Sequence, residues 1–202
     1  MNKKVWAIFL SLAVILIIAG TTLALLTAQT GAKSNQFTPG VLTTTIIENG
    51  EDPGSTKEFT PEGKNTRKEV RVRNDENVHG VEGYIRVMLV PTFRTNEGTL
   101  PGNIVLHPSG NILTITAPNN GGTIKLKLVN GWKDNWIYDN GYFYHRSIVF
   151  PGKLTAVLLE SVEVTDSALW NSFHLEVLSD AIQAEGGALE DAWGEAIGRL
   201  LD

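Results

Sequence analysis

The sequence predicts an all-β protein, a sandwich or a barrel, that ends in a short helix. Short segments rich in β-branched residues alternate apolar and polar side chains, as at 68–74, which is typical of strands with one solvated face. Clusters of glycine, asparagine and proline separate these segments at the spacing seen in sandwiches and barrels. Only the C-terminal segment, 188–201, has a helical period.

Turn signals bound the predicted strands. Asn-Asn-Gly-Gly at 119–122 and Asp-Asn-Gly at 139–141 predict two hairpin turns. Pro91 is expected to end the strand at 84–90, because proline has no backbone N–H to give to a ladder. The predicted strands lie at 41–47, 68–74, 84–90, 111–116, 123–129, 136–138, 142–145 and 173–178. Further short apolar segments at 147–150, 156–159 and 161–164 precede turns or loops.

The C-terminal helix is predicted from apolar residues that recur at steps of three and four. Gly194 and Gly198 lie within the segment and weaken it. One apolar face results, formed by Leu189, Ala192, Trp193, Ala196, Ile197 and Leu200.

The chain begins with an export signal. Lys3 and Lys4 precede an uncharged stretch at 5–26, which would partition into a bilayer with its start on the cytoplasmic side. Thr22 and Ala24 form a small-x-small cleavage pattern, so we expect a hydrophobic signal helix within 1–24 and cleavage between Ala24 and Leu25. The alternative is an uncleaved signal anchor. Both alternatives place the rest of the chain outside the cell, secreted or at the cell surface.

Composition sets limits on the mature chain. The 178 residues left after cleavage (202 − 24) suit one domain, with a flexible arm predicted at 25–40 and a β-sandwich domain at 41–202. The net charge of −5 becomes −7 when Lys3 and Lys4 leave, and no basic block is interleaved with aromatic residues. These features argue against nucleic-acid binding. The absence of cysteine excludes disulfides, thiolate metal sites and a cysteine nucleophile.

No catalytic, cofactor-binding or metal-ligand motif is found, so no cofactor is expected. His79, His107, His145 and His174 are isolated, with no second histidine three to five residues away. No Gly-x-Ser-x-Gly elbow is present. A zinc site or a Ser/His/Asp triad assembled from distant strands stays open at this point.

Two tryptophans allow two interpretations. Trp132 and Trp136 flank a polar stretch and could form a face that stacks on carbohydrate. The alternative is that they plug one end of the sandwich, and the common use of tryptophan as buried area favours this.

Several motifs occur in the order found in a known family. Gly-Thr-Thr-Leu-Ala at 20–24 is followed by Asn-Gln-Phe-Thr-Pro-Gly-Val-Leu at 35–42. Asn74 precedes Gly-Tyr-Ile-Arg-Val at 83–87, and Gly-Tyr-Phe-Tyr at 141–144 precedes Pro-Gly at 151–152. Asp-Ala-Ile-Gln-Ala-Glu-Gly at 180–186 and Ala-Trp-Gly at 192–194 complete the series. The chain thereby resembles the TasA and camelysin family of exported proteins, although Leu23 stands where that family often has an aromatic residue.

The resemblance implies a jelly-roll-like antiparallel β-sandwich and a role in a matrix fibre or surface filament. It also implies processing by a SipW-type signal peptidase during export. Camelysin carries a metallopeptidase label, but no ligand motif is present here to carry over, and no catalytic residue is transferred.

The segment that cleavage would expose suggests how such a fibre would form. Leu25, Leu26, Thr27 and Ala28 begin with apolar residues and precede the first predicted strand, so we expect them to be a donor strand for a neighbouring subunit. The alternative is that the arm folds onto its own domain or stays disordered. The competing functions are an accessory or anchoring protein of such fibres, a secreted metallopeptidase and a carbohydrate-binding module.

Overall fold

In the computed structural model, two antiparallel sheets face each other across a shared apolar core, so the predicted all-β sandwich is confirmed. The structure describes residues 40–51, 65–96, 98–106, 110–117, 122–166, 169 and 172–201. All of them belong to a unit that spans Pro39–Asp202. The predicted signal helix and, apart from Gly40, the predicted arm lie outside the described residues.

The larger sheet has six strands within the described residues. They are β1 (Thr44–Glu48), β2 (Asn65–Asn74), β5 (Asn103–Leu106), β6 (Ile112–Thr116), β7 (Thr123–Leu128) and β10 (Leu159–Val164). Their spatial order is β1, β2, β10, β7, β6, β5. Strand β2 shows the period of two that predicted it, because Val70 and Val72 are buried while Arg71 and Arg73 lie on the outer face.

The second sheet has five strands in the described part of the chain. They are β3 (Gly83–Thr95), β4 (Gly98–Pro101), β8 (Trp136–Asp139), β9 (Tyr142–His145) and β11 (Phe173–Gln183). The order is β11, β3, β9, β8, and β4 pairs with the far end of β3. Strands β3 and β11 pair from Phe93 opposite Phe173 to Gly83 opposite Gln183.

The expectation that Pro91 ends its strand is wrong, because β3 continues to Thr95. The carbonyl oxygen of Pro91 accepts a hydrogen bond from the N–H of Gly102, 2.9 Å away. The backbone groups of Pro91 therefore point away from β11, toward the side where β3 changes partner from β9 to β4. A missing N–H at that position breaks no bond of the β3–β11 ladder.

Two helices near the C-terminus replace the single predicted one. The first, α2, spans Ala188–Trp193 and the second, α3, spans Glu195–Leu201; a short α1, Trp132–Asn135, lies earlier in the chain. The break is at Gly194, whose φ of 92° is in the left-handed region that glycine tolerates. Leu189 and Ile197 of these helices are buried with Tyr144 on the outer face of the five-stranded sheet.

One end of the sandwich, which we call the entry end, consists of residues 40–43, 74–82 and 149–154. The chain reaches the fold here, where the N–H of Val41 donates to His79 and the N–H of Val81 donates back to Val41. Asn74 is fully buried beneath this end. Its side-chain amide donates to the carbonyl oxygens of Val81 and Val149, at 2.9 and 2.8 Å. Asn74 thus joins the segments of the entry end.

Candidate assembly edge

Strand β11 forms one edge of the five-stranded sheet, and its pairing fixes where its backbone groups point. The backbone groups of Pro91 point away from β11. Since successive residues of a strand aim their N–H and C=O groups to alternate sides, the other odd-numbered residues of β3 also point away from β11. The hydrogen-bonded pairs between the two strands are therefore the even ones, such as Met88 with Leu178. The odd-numbered residues of β11 consequently aim their N–H and C=O groups at the outer edge.

This outer edge is the longest among the described strands that have only one neighbour. Strand β11 has eleven residues, whereas β1 has five and β5 and β8 have four each. The outward groups belong to Phe173, Leu175, Val177, Ser179, Ala181 and Gln183. A row of outward donors and acceptors is the template to which an extended peptide adds as a further strand.

Strand β1 of the other sheet comes close to this edge. The hydroxyl oxygens of Thr44 and Ser179 are 2.9 Å apart, which links the two sheets at the middle of β11. Thr45 on the other face of β1 donates to the carboxylate of Asp75. The Thr44–Ser179 bond therefore holds the end of β1 beside the edge of β11.

The side chains of β11 differ on their two faces. Phe173, Leu175 and Val177 are buried in the core, whereas Glu176 and Leu178 are exposed on the outer face. Leu178 keeps 47% of its surface exposed beside the edge. A peptide added here would meet apolar side chains on both of its own faces.

A charged and aromatic cluster, which was not predicted from the sequence, secures this strand. Arg86 pairs with the carboxylate of Asp180 at 2.8 Å. Its guanidinium carbon lies 4.1 Å from the ring centre of Tyr142 and 4.8 Å from that of Trp193, within cation–π range. The cluster ties β11, β3 and β9 to α2. The four residues come from separate segments, and no local sequence pattern indicates their contact.

Another ionic contact lies at the C-terminal end of β1, away from Thr44. Lys68 is almost fully buried, and its Nζ lies 2.6 Å from a carboxylate oxygen of Glu48. Burial lowers the pKa of Lys68, and the hydrogen bond and charge of Glu48 oppose this effect. The pair joins β1 to β2 on the inner side of the sheet.

His145 is a buried histidine whose ring hydrogen bonds to two residues of the connection between β9 and β10. Its Nε2 accepts from the N–H of Ala156 at 3.1 Å, so the proton is on Nδ1, which donates to the Ser147 carbonyl at 2.7 Å. Burial lowers the pKa of His145, and the bond to Ser147 only partly opposes the shift. A second proton on the ring would face the N–H of Ala156.

We expect acid to destabilise the fold through His145. Since its pKa is lower in the folded chain, this contribution is complete above the ordinary pKa of 6.5 and is lost as pH falls toward the folded value. The slope of the free energy of unfolding approaches about 1.4 kcal/mol per pH unit for one proton. Urea unfolding from pH 7.5 to 5 should show a smaller loss for His145→Gln than for the wild type. An equal loss in both would contradict this prediction, and the exposed His79→Gln serves as the control.

The residues singled out from the sequence fall into two groups. Ala24 and Leu25 of the predicted cleavage site, and the rest of the predicted donor strand, Leu26, Thr27 and Ala28, lie outside the described residues. The two tryptophans are described and buried, Trp132 at 4% and Trp136 at 1% exposure. Their rings pack in the core, which agrees with the plug interpretation and leaves neither ring free to stack on a glycan.

The histidines do not converge in the described part of the chain. His79 is exposed at the entry end, His145 is buried, and His174 lies half-buried on β11. His107 is outside the described residues. Across the described ranges, no three His, Cys, Asp or Glu side chains gather as metal ligands would.

Comparison with known proteins identified no family model, curated protein or solved structure that matches this chain. Among the described residues, every helix is too short or too polar to cross a membrane.

Proposed function

We propose that this chain is an exported structural subunit of an extracellular fibre or biofilm matrix, and that it assembles by donation of an N-terminal strand. The observation that supports the proposal best is the eleven-residue outer edge of β11. The donor would be the segment Leu25 to Ala28 of the next copy, which cleavage after Ala24 would free.

The chemistry of the donor suits this edge. Adjacent residues of a strand point to opposite faces, so Leu25 and Leu26 would lie on opposite sides of the sheet. One leucine would face the core side of β11 and the other would lie near the exposed Leu178. Each backbone hydrogen bond formed on pairing contributes about 0.5–1.5 kcal/mol.

Strand donation predicts an open filament. The donor and the acceptor edge are different parts of the chain, so the contact between copies is heterologous, and repetition of it builds a filament unless the rotation closes a ring. The absence of cysteine means that disulfides do not hold such a filament together.

Removal of the donor tests the proposal. The mature chain should form filaments visible by negative-stain electron microscopy, and deletion of Leu25 to Ala28 should abolish them. Leu25→Ser with Leu26→Ser should give the same loss at unchanged length, whereas Gln29→Ala with Thr30→Ala should still polymerise. Filaments of normal length from the deleted chain would contradict strand donation. A mature chain that enters fibres only with another protein would favour the accessory function.

A further inference from the structure

The entry end presents an unusual set of exposed apolar side chains. Val78 is 96% exposed, Phe150 56%, Leu154 44% and Val41 39%. Soluble proteins seldom place several large apolar side chains together in water without a partner for them. Val78 lies within a tight turn, and Phe150 begins another, which the hydrogen bond from the N–H of Lys153 to the Phe150 carbonyl closes.

These side chains lie on segments that hydrogen bond to one another. The N–H of Val41 donates to His79, next to Val78. Asn74 connects to the 149–154 segment through bonds from its N–H to Lys153 and from the Gly152 N–H to its carbonyl. Leu154 bridges to Arg73 at the end of β2. The four exposed side chains therefore share one end of the sandwich.

A surface depression adjoins the same end. It measures about 340 Å³ and is lined by Gly80, Val81, Glu82, Pro151, Gln183 and Glu185. Gln183 is the last residue of β11, so the depression connects the entry end to the proposed acceptor edge. The apolar side chains and the depression together offer a surface with both raised and recessed features, which a protein partner can match.

We propose that the body of a second copy of this chain docks on the apolar side chains of the entry end, Val41, Val78, Phe150 and Leu154. The inference rests on the proposed strand donation, because the arm leaves the sandwich at Gly40, beside these residues. If Leu25 to Ala28 pair with a neighbour, residues 29–39, eleven positions, span the gap. An extended chain of that length reaches at most about 40 Å.

This reach keeps the neighbour close to the entry end. The acceptor strand β11 itself has eleven residues, a length of about 37 Å at 3.4 Å per residue. At full extension the linker thus spans only about the length of β11, so the neighbour lies within about one strand length of the entry end. The neighbour that takes the donor strand is therefore the partner positioned to cover the apolar side chains.

Labelling of single cysteines tests the docking, since the chain has no cysteine of its own. Val78→Cys should react with a maleimide at least about tenfold more slowly in filaments than in monomers, as expected when a side chain leaves water on assembly. Lys125→Cys lies on the outer face of the six-stranded sheet and should react alike in both states. Equal reactivity of Val78→Cys in monomers and filaments would overturn the docking and leave strand donation standing.

A charge at the same position gives a second measurement. Val78→Glu should fold normally, because the side chain is almost fully exposed in the monomer. The critical concentration for polymerisation should rise about tenfold or more, the effect of losing one buried apolar side chain. Leu200→Glu makes the same change on α3, outside this surface, and should polymerise like the wild type. An unchanged critical concentration for Val78→Glu would overturn the docking, and a mature chain that stays monomeric would overturn both proposals.

Discussion

The Ser179→Pro variant is expected to fold as a monomer and to lose filament growth. Ser179 lies near the middle of β11, and its N–H points to the outer edge. Proline removes that donor and places its ring where an added strand would lie, while the ladder to β3 keeps its bonds. Electron microscopy of filaments and circular dichroism of the monomer measure the two effects separately.

Two controls distinguish the loss of the outward N–H from other effects of a substitution in β11. Ser179→Ala removes the hydroxyl that meets Thr44 but keeps the N–H, so it should polymerise. Leu178→Pro removes an N–H that points at β3 and leaves the facing carbonyl group unpaired, which should destabilise the fold by about 1–3 kcal/mol. Normal filaments from Ser179→Pro would show that β11 is not the acceptor edge.

Among the variants proposed here, Asn74→Asp is expected to lower the free energy of unfolding the most. The substitution keeps the shape but replaces an amide that donates to two carbonyl oxygens by a carboxylate that can donate to neither. An unpaired buried charge costs about 3–5 kcal/mol of stability at pH 7. Urea unfolding followed by tryptophan fluorescence measures the loss.

The pH dependence of the stability of Asn74→Asp shows whether the buried charge causes the loss. Burial and the facing carbonyl groups would raise the pKa of the new carboxyl above about 3.9, its value in the unfolded chain. The destabilisation is therefore complete above the raised pKa and shrinks as pH falls toward the unfolded value. Asn77→Asp, on an exposed side chain of the same connection, should change stability by less than about 1 kcal/mol. A loss for Asn74→Asp that does not depend on pH would point to packing and not to charge.

The sandwich could be predicted because its strands follow the period of two. In strand β2, Val70 and Val72 are buried and Arg71 and Arg73 are not, as the alternation predicts, while the polar Lys68 and Asn74 continue the buried face. The short strands β4 and β5 were missed, since Gly98 to Leu106 contains glycines and a proline where strands favour β-branched residues. The error at Pro91 has a different cause. The direction of its backbone groups depends on which strand lies on each side, and a single sequence does not contain that order.

The candidate site was less accessible to sequence reasoning than the fold. The donor segment was proposed from its own composition and its place after the predicted signal. The proposed acceptor edge depends on strand order. Strand β11 lies outside β3, and its odd-numbered residues aim their N–H and C=O groups away from β3. The Arg86 cluster likewise brings Tyr142, Asp180 and Trp193 together from separate segments.

The two C-terminal helices limit the ways in which copies of this chain can aggregate. They cover the outer face of the five-stranded sheet around Tyr84 and Tyr144. Amyloid requires sheets to stack face to face as dry steric zippers, and a sheet face under helices cannot stack in this way. Among the described strands, the outer edge of β11 has no strand neighbour, whereas the helices block cross-β stacking on the adjacent face. The proposed strand donation would therefore build thin filaments of folded subunits and not an amyloid deposit.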